Sequence, residues 1–272
     1  MKSKTPLIAI LVTFLFCINK LNAQDKPSDA PIMKEYTNAI FLNGIKGEYY
    51  FKENSCVFYS LDYNFNKDYR YRITNSTRLY NRIGLEMNAG GRWYVGASLA
   101  HRLAYDAGLN MATVKANASH RGKIGSVQFT KELSLEYIHH FNYTYFDKYK
   151  DIQVGIGVAV YKDFTVLKRP LGIMLSYKVL INSKLQYDIY KDRKIDFTKM
   201  RADIFYGITK NLYIGLFAMR ETEYYYPIGT SDASGTNIFY KVNSVNPIIG
   251  ANLNIVLNSD KITKYIPGLP FR

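Results

Sequence analysis

Apolar and polar residues alternate along most of the chain, and the segment Arg78–Ala104 shows the pattern in its clearest paired form. In its first half Leu79, Ile83, Leu85 and Met87 fall on one face, and Tyr80, Arg82, Gly84, Glu86 and Asn88 fall on the other. In its second half Trp93, Val95, Ala97, Leu99 and Leu103 oppose Arg92, Tyr94, Gly96, Ser98, Ala100 and Arg102. Side chains alternate faces along a strand, so each half reads as a strand with one apolar wall and one polar wall. A tight glycine-containing turn joins the two halves.

The same pattern recurs to the end of the chain. Val57, Tyr59, Leu61, Tyr63 and Phe65 oppose Ser60, Asp62, Asn64 and Asn66. Ala112, Val114, Ala116 and Ala118 oppose Thr113, Lys115, Asn117 and Ser119. Ile152, Val154, Ile156, Val158 and Val160 form a β-branched face whose reverse is nearly bare at Gly155, Gly157 and Ala159. Further faces run through Leu171–Ile181, Leu185–Ile189, Met200–Ile208, Leu212–Ala218 and Ile249–Leu257. The longest irregular stretch is Tyr224–Asn246. The spacing predicts about twelve strands, within a range of about ten to fourteen, separated by turn chemistry and without an amphipathic helix between them.

The N-terminus has a different character. Lys2 and Lys4 precede an apolar run from Pro6 to Ile18, and Leu21-Asn22-Ala23 supplies a small residue before Gln24. That is the plan of a secretory signal peptide over residues 1–23. Residues 24–37 read as a flexible lead-in, residues 38–258 as the strand-rich domain and residues 259–272 as a C-terminal tail. Removing the leader removes Cys17 and leaves Cys56 alone, so no intrachain disulfide is possible. The formal net charge is +14, but Lys and Arg are scattered through strands and turns. No basic helix, zinc-finger spacing or aromatic RNA-binding signature accompanies them, which disfavours nucleic acid as a partner.

Three features favour a membrane barrel over a soluble sandwich. The strands approach the length of about 9–11 tilted residues that crosses a bilayer. The polar faces carry charges of both signs, as an enclosed lumen allows. Aromatic residues, 15% of the chain, often bound the apolar faces, as interfacial girdles do. Backbone groups in hydrocarbon must find partners, and without a spanning helix after the leader only a closed barrel provides them. The expected fold is therefore all-β: a closed antiparallel transmembrane β-barrel, preferably with an even number of strands.

The leader ending in Asn-Ala-Gln and the Tyr- and Asn-rich strands, with the segments NRIGLEM, WYVGASL, SHRGKIG and KELSLEYI, resemble small outer-membrane β-barrel proteins of the Bacteroidota, many of them of unknown function. The resemblance implies residence in the cell outer membrane. It also implies outer-membrane lipids, lipopolysaccharide and the barrel-assembly machinery as partners. Such barrels often end in an aromatic residue that closes the last strand, whereas here the last clear strand stops near Leu257 and the chain continues to Phe271-Arg272.

The candidate chemistry lies on the polar walls. Arg82, Glu86, Arg92, Arg102, Glu132, Glu136, Lys199, Arg201 and Asp203 are expected to line the lumen, either as an ion-pair network filling it or as a charge filter for a small solute. A barrel of about twelve strands lies between filled small barrels and open porins, which favours a filled or narrow interior. The leading expectation is a non-enzymatic structural, binding or porin-like narrow-pore protein. The alternative is an outer-membrane lipid-modifying hydrolase of phospholipase or lipid A deacylase type, which needs a Ser and a His together. Ser98 with His101 and Ser119 with His120 diverge in a regular strand, and Ser134 lies far along its strand from His140. His139-His140 cannot share one metal ion in a regular strand. No catalytic residue, metal or cofactor is expected.

Overall fold

The computed structural model describes residues 32–36, 39–65, 78–104, 109–142, 150–182, 195–225, 230–231, 237–238 and 241–261. The elements are β1 (Ile32–Tyr36), β2 (Ile40–Lys52), β3 (Ser55–Phe65), β4 (Arg78–Gly90), β5 (Trp93–Ala104), β6 (Leu109–Ile124), β7 (Val127–Asn142), β8 (Lys150–Val166), β9 (Arg169–Asn182), β10 (Ile195–Gly207), β11 (Leu212–Tyr225), the two-residue pair β12 (Thr230–Ser231) and β13 (Asn237–Ile238), and β14 (Lys241–Leu257). A short 3₁₀ turn, Ser259–Lys261, follows.

The sheet closes on itself. Strands β2 to β11 pair with their neighbours in chain order, β11 pairs with β14, and β14 returns to β2. The result is an all-β closed barrel of eleven strands with β1 as an addition. The strand count is odd, which corrects the expectation of an even, wholly antiparallel wall. The seam between β14 and β2 is parallel, while every other neighbour pairing in the barrel is antiparallel.

One edge of β14 carries β11 from Val242 to Ile255. The other carries both β1, opposite Lys241–Val245, and β2, opposite Ile248–Leu257. Thus β1 lies in line with β2 as an interrupted extension of the same parallel ladder. The interruption falls at Pro247, which has no N–H to contribute and is tolerated where a ladder breaks. Two sequence expectations change here. Ile32–Tyr36, within the lead-in, is a strand. Lys241–Asn246, within the stretch read as irregular, belongs to the last strand. The face expected at Leu185–Ile189 lies outside the described residues.

Among the described residues, the tight turns are at one end of the barrel. Glu53-Asn54, Gly91-Arg92, Gly125-Ser126, Leu167-Lys168 and Ile208–Asn211 link successive antiparallel pairs there. Leu167 and Lys168 both have positive φ, 50° and 62°, the backbone of a two-residue hairpin turn that matches strand twist. The strand ends at 65 and 78, 104 and 109, 142 and 150, 182 and 195, and 225 and 241 are at the opposite end. A 13-residue strand such as β4 rises about 3.3 Å per residue, so at a tilt near 45° it spans roughly 30 Å of barrel height.

The outer wall is apolar. Ile45, Leu133, Ile204 and Leu216 are 52%, 58%, 52% and 61% exposed, and they share their outward register with Ile83, Leu99, Val114, Ile156 and Ile173. The inner wall is packed. Tyr50, Phe205, Met174, Glu48 and Val256 are fully buried within it. Inward aromatic rings lie over inward glycines of the next strand: Phe58 is paired with Gly84, Phe205 with Gly215 and Phe217 with Gly250. The missing side chain on one strand makes the room that the ring on its neighbour fills, a small-against-large pattern suited to a narrow barrel.

Candidate functional site: the barrel lumen

The middle of the lumen is charged, and its geometry follows from strand register. Lys115 on β6 faces across to β7, and its Nζ lies 2.8 Å from Glu132 Oε1. On β9, Lys178 Nζ lies 2.6 Å from Glu136 Oε1 and 4.0 Å from Glu132 Oε1. These four groups form a continuous chain of alternating charge over β6, β7 and, across β8, β9. The Lys115 and Glu132 side chains are 4% and 1% exposed, so each requires the other: a buried charge is strongly destabilising without a partner.

Four further pairs join residues two apart on one strand, which place their side chains on the same face. Lys46 Nζ is 2.9 Å from Glu48 Oε1, and Tyr50 donates its hydroxyl to Glu48 Oε2 at 2.8 Å. Arg201 donates to Asp203 through Nε at 2.8 Å and Nη2 at 2.6 Å. Arg82 donates to the Tyr80 hydroxyl. Planar guanidinium groups also stack on rings: Arg121 lies 3.7 Å from the Tyr94 centroid and Arg201 lies 3.8 Å from that of Phe217. Such stacking holds a cation on an apolar surface while its edge donates hydrogen bonds.

Glu86 is 3% exposed, and its partner is Arg121 Nη2 at 2.5 Å, on β6. Glu132 and Glu136 are held by Lys115 and Lys178, Lys199 by Glu221 at 2.6 Å, and Arg201 by Asp203. Arg102 is half-buried and its charge faces Glu221 and Glu223. Arg92 is corrected: it sits exposed in the β4–β5 turn, outside the lumen. Gly90 and Gly91 have φ of 118° and 57°, and they turn the chain before Arg92 can join the inner face.

Lys46, Glu48, Asp62, Lys115, Arg121 and Lys178 were not among the expected lumen charges. Alternation alone puts Lys115 on the polar wall. Its role becomes visible only when register sets it beside Glu136 and diagonally from Glu132. Asp62 is half-buried amid the charges of Arg82, Arg201 and Lys46.

Two of the Ser–His pairs of the hydrolase alternative diverge among the described residues. Ser98 is on the lumen register while His101 is exposed on the outer wall, within 2.5 Å of Asn110 Oδ1. Ser119 is buried inside, whereas His120 packs outside against Trp93, ring centroids 5.0 Å apart. Ser134 is buried inside, and the His140 side chain lies outside the described residues. Among the described residues no group of three or more His, Cys, Asp or Glu side chains is placed to hold a metal ion. Cys56 is fully buried with Tyr50, Tyr213 and Val256.

No protein-family model matches this chain. Searches of curated proteins and of solved structures likewise give no match.

Proposed function

We propose that the chain is an integral outer-membrane β-barrel with a lumen filled by its own side chains, acting as a structural or binding protein of that membrane. The observation that carries this reading is the inverted polarity of the wall. Charged residues are buried and paired inside, while large aliphatic side chains project outward on strand after strand. In water each such side chain left exposed forgoes about 1.5–3 kcal/mol of burial, and soluble monomers rarely carry a continuous apolar surface of this extent. In hydrocarbon the same surface is solvated, and closure of the sheet satisfies the backbone.

The filled interior favours a plugged barrel over an open pore. Eleven strands could enclose more space than the about eight strands that side chains fill readily. Here the aromatic–glycine layers and the Lys115–Glu132–Lys178–Glu136 chain occupy that space. The divergent Ser–His pairs give the hydrolase alternative no support.

Fractionation and conductance test the proposal. The folded chain should remain with outer-membrane fractions after a carbonate wash and should migrate faster on a detergent gel before heating than after. Release by the wash rejects the membrane reading. In planar bilayers the refolded protein should give no steady conductance, and regular single-channel steps would reject the plugged lumen.

A further inference from the structure

The lumen charges are matched among themselves, but the exposed charges at the short-turn rim are not. Lys52, Lys123, Lys131, Lys162, Lys168 and Arg169 lie there with Arg92, Lys210 and Lys261, against the acids Glu53, Asp163 and Asp260. Among the described residues no salt bridge reaches any of those first six cations. The end of the barrel built from tight turns is therefore a basic collar.

The collar meets the apolar wall through aromatic rings. Trp93, His120 and Lys131 are directly opposite one another on β5, β6 and β7, all on the outward register. Trp93 is 57% exposed. The Lys131 ammonium lies 5.8 Å from the Phe129 ring centroid, and on β8 the Lys162 ammonium lies 5.1 Å from that of Phe164. Each ammonium thus lies beside a ring one outward position nearer the short turns, within the last part of the apolar wall, and no salt bridge among the described residues reaches it.

We propose that this collar binds the phosphate groups of anionic glycerophospholipids, and so anchors the short-turn end in the leaflet that contains them. The inference rests on the membrane reading and extends it to a lipid class and to one face of the barrel. A lysine at the edge of an apolar wall keeps its stem in hydrocarbon and carries its ammonium to headgroup level, where amphipathic rings themselves settle. Headgroup phosphates supply the acceptors and the negative charge that the collar lacks. In outer-membrane barrels the short turns face the periplasm, which assigns the collar to the inner leaflet.

Trp93 is the sole tryptophan of the chain and stands inside the collar, so its fluorescence reports the lipid beside it. The chain beginning at Gln24 is refolded into phosphatidylcholine vesicles containing a minor fraction of phosphatidylglycerol, with bromine on the acyl chains of one lipid or the other. The proposal expects brominated phosphatidylglycerol to quench Trp93 well beyond its mole fraction, with about a fivefold local enrichment, the equivalent of one cation at an anionic surface. High salt should remove the preference, and so should K131E/K162E in a chain that still shows heat-modifiable migration. Inorganic phosphate at constant ionic strength should not change it; competition by phosphate would overturn the lipid assignment. Equal quenching by the two lipids overturns the inference and leaves the membrane reading intact. Quenching by neither, with free access of acrylamide to Trp93, overturns both.

Discussion

Leu253 of β14 lies beside Ile45 of β2 with the two strands running the same way. That parallel seam makes the number of wall crossings odd, so the chain enters the barrel at the end opposite the tight turns and leaves it at the end with the tight turns. In a membrane the two ends face different compartments. An epitope inserted between Gln24 and Ile32 and one inserted after Lys261, beyond the end of β14, should therefore be accessible from opposite sides. Protease digestion of intact and permeabilised cells measures this. Access to both epitopes from the same side would show that the barrel closes with a different strand count.

Much of the wall was legible in the alternation, and the hairpin Arg78–Ala104 is the clearest case: its two halves are β4 and β5, facing as expected. Period-two alternation fixes which face a side chain takes because that is a local property. The seam was not legible. It joins residues at opposite ends of the chain, and a parallel closure leaves no trace in either strand's own pattern. Pro247 also hid the first part of β14, since an internal proline argues against a central strand. The site was half legible for the same reason. Glu86 could be placed inside, but local sequence offers Arg82 and Arg92 as its neighbours. Its partner is Arg121, two strands away, which only register and side-chain reach can select.

Lys115 and Glu132 provide a direct test of the lumen as a paired network. K115M leaves Glu132 buried with Lys178, 4.0 Å away, as its one remaining salt-bridge partner among the described residues. It should cost about 3–5 kcal/mol of stability, the penalty for orphaning one member of a buried pair. The double variant K115M/E132L removes both charges and should recover most of that loss. Denaturant unfolding in detergent micelles, followed by Trp93 fluorescence, gives the comparison. A double variant as unstable as the single one would mean that the pair is not the unit of stabilisation.

Cys56 gives a readout of packing at the short-turn end. It is fully buried among Tyr50, Tyr213 and Val256, and in a chain beginning at Gln24 it is the sole thiol. A bulky maleimide should leave the folded barrel unlabelled over hours and should label it completely once it is unfolded in denaturant. Rapid labelling of the folded form, counted by mass spectrometry, would mean that reagent reaches this layer through the lumen.

The aromatic–glycine pairs set how tightly the lumen is filled, and Phe205 over Gly215 is the most enclosed of them. Phe205 has no exposed surface. A Cβ added at Gly215 would lie 2.7 Å from two of its ring carbons, well inside van der Waals contact. G215V should therefore force the ring from its place and cost about 1–3 kcal/mol by overpacking. F205A leaves the ring's volume empty and should cost about 3–5 kcal/mol, the usual range for deleting a buried aromatic ring. The combination is informative because the two sites share one space. In F205A/G215V the valine occupies part of what the ring vacates, so the double variant should be more stable than the sum of the single losses predicts. Unfolding midpoints of the four proteins in the same micelles measure the coupling. Strict additivity would show that ring and glycine do not share the space, and that the lumen at this layer is roomier than the Phe205 packing requires.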